Sequence, residues 1–137
     1  MLWLMNPWRR MFDFRGRATR SEYWLFLIQF MVIWMVWAVL MGLAVDTYNS
    51  PVVALPMSLI LFAFWAVGFV AYLSASVRRL HDHDKTGWLF LLAAVPLVGW
   101  IFFLIMMLTP GTPGENSYGL DPRDPNAVAD DVAGVFY

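Results

Sequence analysis

Two histidines and two aspartates stand side by side at His81, Asp82, His83 and Asp84, within the polar stretch Arg78 to Trp88. Imidazole and carboxylate are standard metal ligands and proton carriers, so any chemistry this chain performs would be sought here first. The spacing argues against it. On a helix His81 and His83 diverge by about 200°; on an extended strand the intervening Asp82 points away from both. The chain has no cysteine and no third histidine, which removes thiolate chemistry and leaves few ligands for a metal. A hydrolase needs a nucleophile with a base in reach, and both candidate bases lie beside acids that can pair with them. The expectation is therefore no enzyme, no metal and no cofactor, with the stretch read as a solvated loop at a membrane surface.

What positions that loop is a set of long apolar runs. Of 137 residues, 61% are hydrophobic and only 14% charged, against a globular norm of roughly 45–50% and about 25%. A soluble domain could not hide so much apolar surface, so lipid must be part of the solvent. Candidate spans cover residues 23–45, 52–77 and 88–109. The first is on the order of 34 Å long as a helix, enough for a ~30 Å hydrocarbon core, and too long for a cleavable signal peptide. Thr19 and Glu22 have the spacing of a capping box before it. Pro51, after Asn49 and Ser50, suits the first turn of the second. Ala54, Ser58, Gly68, Ala71 and Ala75 share one arc of the second span, a face for close helix packing. Pro96 should bend the third, with Gly99 nearby for close approach. Residues 1–14 mix Trp and Arg, too short and charged to span, and suit the headgroup layer. The expected fold is an all-α integral membrane protein with three transmembrane helices and a short N-terminal interfacial segment. Residues 1–122 form its single membrane domain, and 123–137 are an acidic tail expected to be disordered.

Charge sets the expected orientation. With the N-terminus in the cytoplasm, three crossings put Arg9, Arg10, Arg15, Arg17, Arg20, Arg78, Arg79 and Lys85 inside, and only Arg123 outside with a periplasmic C-terminus. The ends of all three spans would then bring Arg17, Arg20 and Glu22 beside Arg78, Arg79, His81 and Asp82. Glu22 is expected to take Arg78 or Arg79, and Asp82 to take Arg17 or Arg20. This cluster is the candidate site: it orders the helix ends, and arginine's planar fork suits anionic lipid headgroups or an acidic partner. Expected partners are membrane lipids, a second copy or another membrane protein, and no nucleic acid. The alternative is a subunit of an oligomeric channel or transporter. Against it, no span interior carries a charge, and such groups usually mark ion pathways.

Three motifs in order also resemble a known family. Gly16, Arg17, Arg20, Glu22, Tyr23 and Trp24 form the first; Arg78 to Asp82 with Gly87 and Trp88 the second; Asn116, Tyr118, Gly119, Asp121 and Pro122 the third. Together they resemble the domain-of-unknown-function 805 family of small bacterial inner-membrane proteins, over about residues 8–122. Leu89 and Ser117 depart from the pattern, where an aromatic and a basic residue are common. The resemblance implies an inner-membrane location and brings no activity, substrate or cofactor with it.

Overall fold

Helix α2, Arg20–Tyr48, and helix α3, Pro51–His81, form an antiparallel pair around which the rest of the chain is arranged. They belong to a computed structural model that describes residues 6–48 and 50–124. Both are long and apolar enough to cross a membrane. Leu25, Ile28, Met31, Leu59, Phe62 and Trp65 all stand exposed along them, the pattern of helices whose solvent is lipid. Thr19 caps α2, its Oγ1 accepting from the Glu22 N–H at 3.2 Å. The reciprocal half of the expected capping box is missing, because the Glu22 carboxylate is engaged elsewhere. Ser50 precedes α3 in extended conformation with Pro51 in the first turn, but its side chain makes no cap bond; Asn49 lies outside the described residues.

The short helix α1, Asn6–Arg9, sends Trp8 deeper than a headgroup-layer segment would. Its ring meets Phe26 edge-on at 5.3 Å and lies 6.2 Å from Phe30 and 6.0 Å from Phe64. Phe30 stands about 15 Å along α2 from Arg20. The segment is thus wedged between the two long helices and held there by the Ser74 hydroxyl, shared between the carbonyls of Arg10 and Asp13.

The small-residue face of α3 serves this same seam. Gly68, Ala71 and Ala75 are buried, whereas Ser58 at the far end of the arc is exposed. A Cβ on Gly68 would overlap the Phe30 ring, and that ring is stacked against Phe26 and Phe64. Gly68→Leu is therefore expected to lower stability by about 1–3 kcal/mol, with particle size in detergent unchanged. Wild-type thermal stability would show that the seam is assigned to the wrong face.

The third apolar segment departs from the single helix expected for it. Instead of one helix over 88–109, a 3-10 helix, Gly87–Ala94, runs into a tight turn, and helix α4, Val98–Leu108, comes back along it. Eight residues of 3-10 helix and eleven of α-helix are each about 16 Å long, half of a ~30 Å hydrocarbon core. At the turn Leu97 adopts φ 60° and ψ −67°, with the Val98 N–H donating to the Pro96 carbonyl at 2.8 Å. That is a γ-turn, a strained geometry for a residue with a Cβ. Pro96 does more than bend the segment, because Gly99 lets α4 press directly on the backbone of Leu92. Phe90 and Phe103 then meet edge-to-face at 5.6 Å across the hairpin. Both feet of the hairpin stand at one end of the molecule, beside the first residues of α2 and the last of α3.

Candidate functional site

The last turn of α3 sets the site. Arg79 and Asp82, three apart, share one face, while Arg78, one residue round, faces α2. The Arg78 guanidinium donates from Nη1 to Glu22 Oε1 at 2.7 Å. On the other face Asp82 joins two arginines. Its Oδ1 accepts from Arg17 Nε at 2.9 Å, and its Oδ2 accepts from Arg79 Nη1. The side chains of Arg17 and Asp82 are 1% exposed and those of Arg78 and Arg79 are 0%. The first half of the expected solvated loop is therefore interior: Arg78 to Asp82 are buried, whereas Asp84, Lys85, Thr86 and Trp88 are exposed. Charges taken out of water need partners on every side, which is why the helix end closes over them.

The partners come from the segment after α4. Arg17 also donates to the carbonyls of Thr112, Gly114 and Gly119. Arg79 donates to those of Thr109 and Ala18. The Asp82 carbonyl accepts from the Thr112 N–H at 2.8 Å and its hydroxyl at 3.1 Å. Asn116 Nδ2 donates to the His81 carbonyl at 2.9 Å, and Tyr118 stacks on the His81 ring with centroids 3.9 Å apart. The Gly111 backbone lies so close to Asp82 that any Cβ would overlap its carboxylate. Arg78 Nε and Nη2 and Arg79 Nε are buried without a protein acceptor among the described residues, so the clamp is not fully satisfied.

Of the candidate residues, the structure brings together Arg17, Glu22, Arg78, Arg79, His81 and Asp82. Arg20 is not in the clamp: it is exposed and donates to the Leu108 carbonyl at the end of α4. His81 Nδ1 lies 3.2 Å from the Gly16 carbonyl. His83 Nε2 lies 2.6 Å from the Met106 carbonyl and donates to it; burial, with the Arg79 charge nearby, holds that imidazole below its usual range. Among the described residues no three His, Asp or Glu side chains gather as a metal site would require.

Sequence reasoning missed Thr109, Gly111, Thr112, Asn116 and Tyr118, because it sent them to the opposite side of the membrane. The signal was present in Pro96 with Gly99, which can close a hairpin as well as bend a span. Arg123, expected in the disordered tail, is likewise held: it donates to Asp121 at 2.8 Å and to the Thr112 carbonyl at 3.1 Å. That bond and the Arg123 charge keep the Asp121 carboxyl at about 2. Residues 125–137 of the expected tail lie outside the described residues.

Two lipid-facing helices and a half-length hairpin, locked at one end by buried ion pairs, define a small helical integral membrane protein. The chain belongs to the family described as "Protein of unknown function (DUF805)", whose sequence profile matches residues 11–120. It is similar to inner membrane protein YhaH of Escherichia coli (strain K12), 32% identical over 126 residues, covering 90% of this chain and 98% of the relative. It is also similar to inner membrane protein YhaI of the same strain, 31% identical over 123 residues, covering 90% and 97%. This kinship puts the chain among bacterial inner-membrane proteins. No solved structure matches it.

Proposed function

We propose that the chain is a non-catalytic membrane interaction module, with two crossing helices and one re-entrant hairpin clamped together at their cytoplasmic ends. The observation that carries this reading is the state of the arginines: Arg17, Arg78 and Arg79 are buried and engaged by carboxylates and carbonyls of the same chain. Such groups order helix ends; they are not free to grip a headgroup. Any ligand or partner therefore meets the surfaces that the clamp holds in place.

The re-entrant path also changes the orientation argument. Arg123 shares an end with Arg17 through the Thr112 carbonyl, so all nine Lys and Arg residues fall on one side. A periplasmic C-terminus left one basic residue on the wrong side; the hairpin leaves none, and the positive-inside rule assigns that side to the cytoplasm. Green fluorescent protein fused after Tyr137 is expected to fluoresce, and alkaline phosphatase inserted between Asp46 and Pro51 to be active. Active phosphatase at Tyr137 instead would restore three crossings and sink the re-entrant reading.

A channel or transporter subunit is the second reading, and the γ-turn at Leu97 favours it. Irregular backbone at membrane depth is tolerated where it is buried in protein or lines a water-filled cavity. Ion flux across liposomes holding the purified chain, abolished by Leu97→Pro, would favour it over the module.

A further inference from the structure

A cavity of about 480 Å³ opens beside the clamp, between the end of α3, the start of the 3-10 helix and the stacked Tyr118. That volume is within the range of small-molecule sites, roughly 300–1,000 Å³. Its lining is largely apolar, from Phe14, Leu73, Val77, Trp88, Phe90 and Leu91. Trp88 is 78% exposed, as an indole at a membrane–water interface would be. Thr86, Tyr118 and His81 bring polar groups to the lining. His81 Nδ1 donates to the Gly16 carbonyl, which fixes the tautomer and leaves Nε2 as an acceptor. Nε2 makes no hydrogen bond among the described residues. It lies on the side of Gly87, where a Cβ would come within 3.5 Å, so the absence of a side chain keeps it open to the cavity.

Two cations are the chain neighbours of residues in this lining. Lys85 adjoins Thr86 and Arg15 adjoins Phe14, both exposed, and neither side chain forms an ion pair among the described residues. Of the neighbouring acids, Asp13 is paired with Arg10 and also accepts from the Arg15 N–H, whereas Asp84 accepts only from the Ser117 N–H and keeps its charge. The site thus offers a largely apolar lining, an imidazole acceptor and two exposed cations next to it in the chain.

We propose that this cavity seats an anionic phospholipid whose headgroup carries free hydroxyls, as phosphatidylglycerol does. A headgroup hydroxyl donates to His81 Nε2, the phosphate lies between Lys85 and Arg15, and the first methylenes of an acyl chain cover Leu73, Val77 and Leu91. The reading rests on the inner-membrane placement but not on the side of the membrane.

Native mass spectrometry tests it on the full chain, taken from nanodiscs holding equal phosphatidylglycerol, phosphatidylethanolamine and phosphatidic acid. The wild type is expected to retain one phosphatidylglycerol, roughly tenfold over either competitor, the scale of one added hydrogen bond with its charge pairing. Leu91→Trp fills the cavity from an exposed position and should lower that retention roughly tenfold. Lys85→Ala with Arg15→Ala alters only exposed side chains and should erase the preference over phosphatidylethanolamine. Equal retention of phosphatidic acid would overturn the hydroxyl recognition. Retention unchanged in both variants would overturn the site, while misplaced reporter signals would count only against the orientation.

Discussion

Asp82→Asn should remove about 3–5 kcal/mol of stability, the range for breaking a buried ion pair by deleting one partner. Asp82 is the residue on which two positive charges depend. Its two carboxylate oxygens each hold one arginine, Arg17 and Arg79, and none of these side chains is more than 1% exposed. An amide of the same shape keeps one acceptor oxygen and turns an N–H₂ toward the second guanidinium. That donor-to-donor contact has no solvent to relieve it. Glu22→Gln should cost less, since Glu22 holds only Arg78 and its side chain is 8% exposed. The two pairs are linked through Ala18, whose N–H donates to the Arg78 carbonyl at 3.1 Å and whose carbonyl accepts from Arg79. The double variant is therefore expected to lose less than the sum of the singles. Unfolding in detergent, read by circular dichroism, measures all three. Asp84→Asn, at an exposed site, serves as the control and should stay within about ±0.5 kcal/mol. A loss at Asp82 no larger than at Asp84 would mean that the clamp does not hold the fold together.

Gly99→Ala is expected to open the hairpin, an effect out of scale with one methyl group. The added Cβ would overlap the Leu92 carbonyl oxygen and come within 2.7 Å of its carbon. Backbone cannot step aside as a flexible side chain can, so the 3-10 helix and α4 must separate. Overpacking costs typically about 1–3 kcal/mol, and here the separation also strains what lies downstream: the Arg79 bond to Thr109 and the Arg20 bond to Leu108. The informative comparison is Gly42→Ala. Gly42 sits in α2 with nothing within 4 Å of its would-be Cβ, so alanine there should stabilise by roughly 0.5–1 kcal/mol through helix propensity. Opposite signs for the same substitution, measured as shifts in thermal midpoint, are the expected result. Equal signs would mean that α4 does not pack on the 3-10 helix through Gly99.

The membrane solvent and the two long helices were legible in the sequence, and so was the meeting of Arg17, Glu22, Arg78, Arg79 and Asp82. Arg20 was wrongly counted with them, and Thr109 to Tyr118 were left out. Apolar runs of that length have few soluble uses, and the polar ends of helices that enter from one side must meet at one depth. Thr19 before Glu22 and Pro51 after Ser50 marked the helix starts, because caps and first turns are local interactions. Opposite charges at neighbouring helix ends narrowed Glu22 to Arg78 or Arg79 and Asp82 to Arg17 or Arg20; the structure chose Arg78 and Arg17 and added Arg79 to Asp82. The course of residues 88–109 was decided by tertiary structure alone. Hydropathy measures how willing a segment is to enter lipid, and a hairpin of two half-length legs is as apolar as one full crossing. The choice falls to groups distant in sequence. Arg17 and Arg79, buried by the packing of α2 against α3, need more acceptors than Glu22 and Asp82 supply. The carbonyls of Thr109, Thr112, Gly114 and Gly119 reach them only if the chain turns back at Leu97. Pro96 and Gly99 make that turn feasible, and the buried guanidinium groups make it favourable.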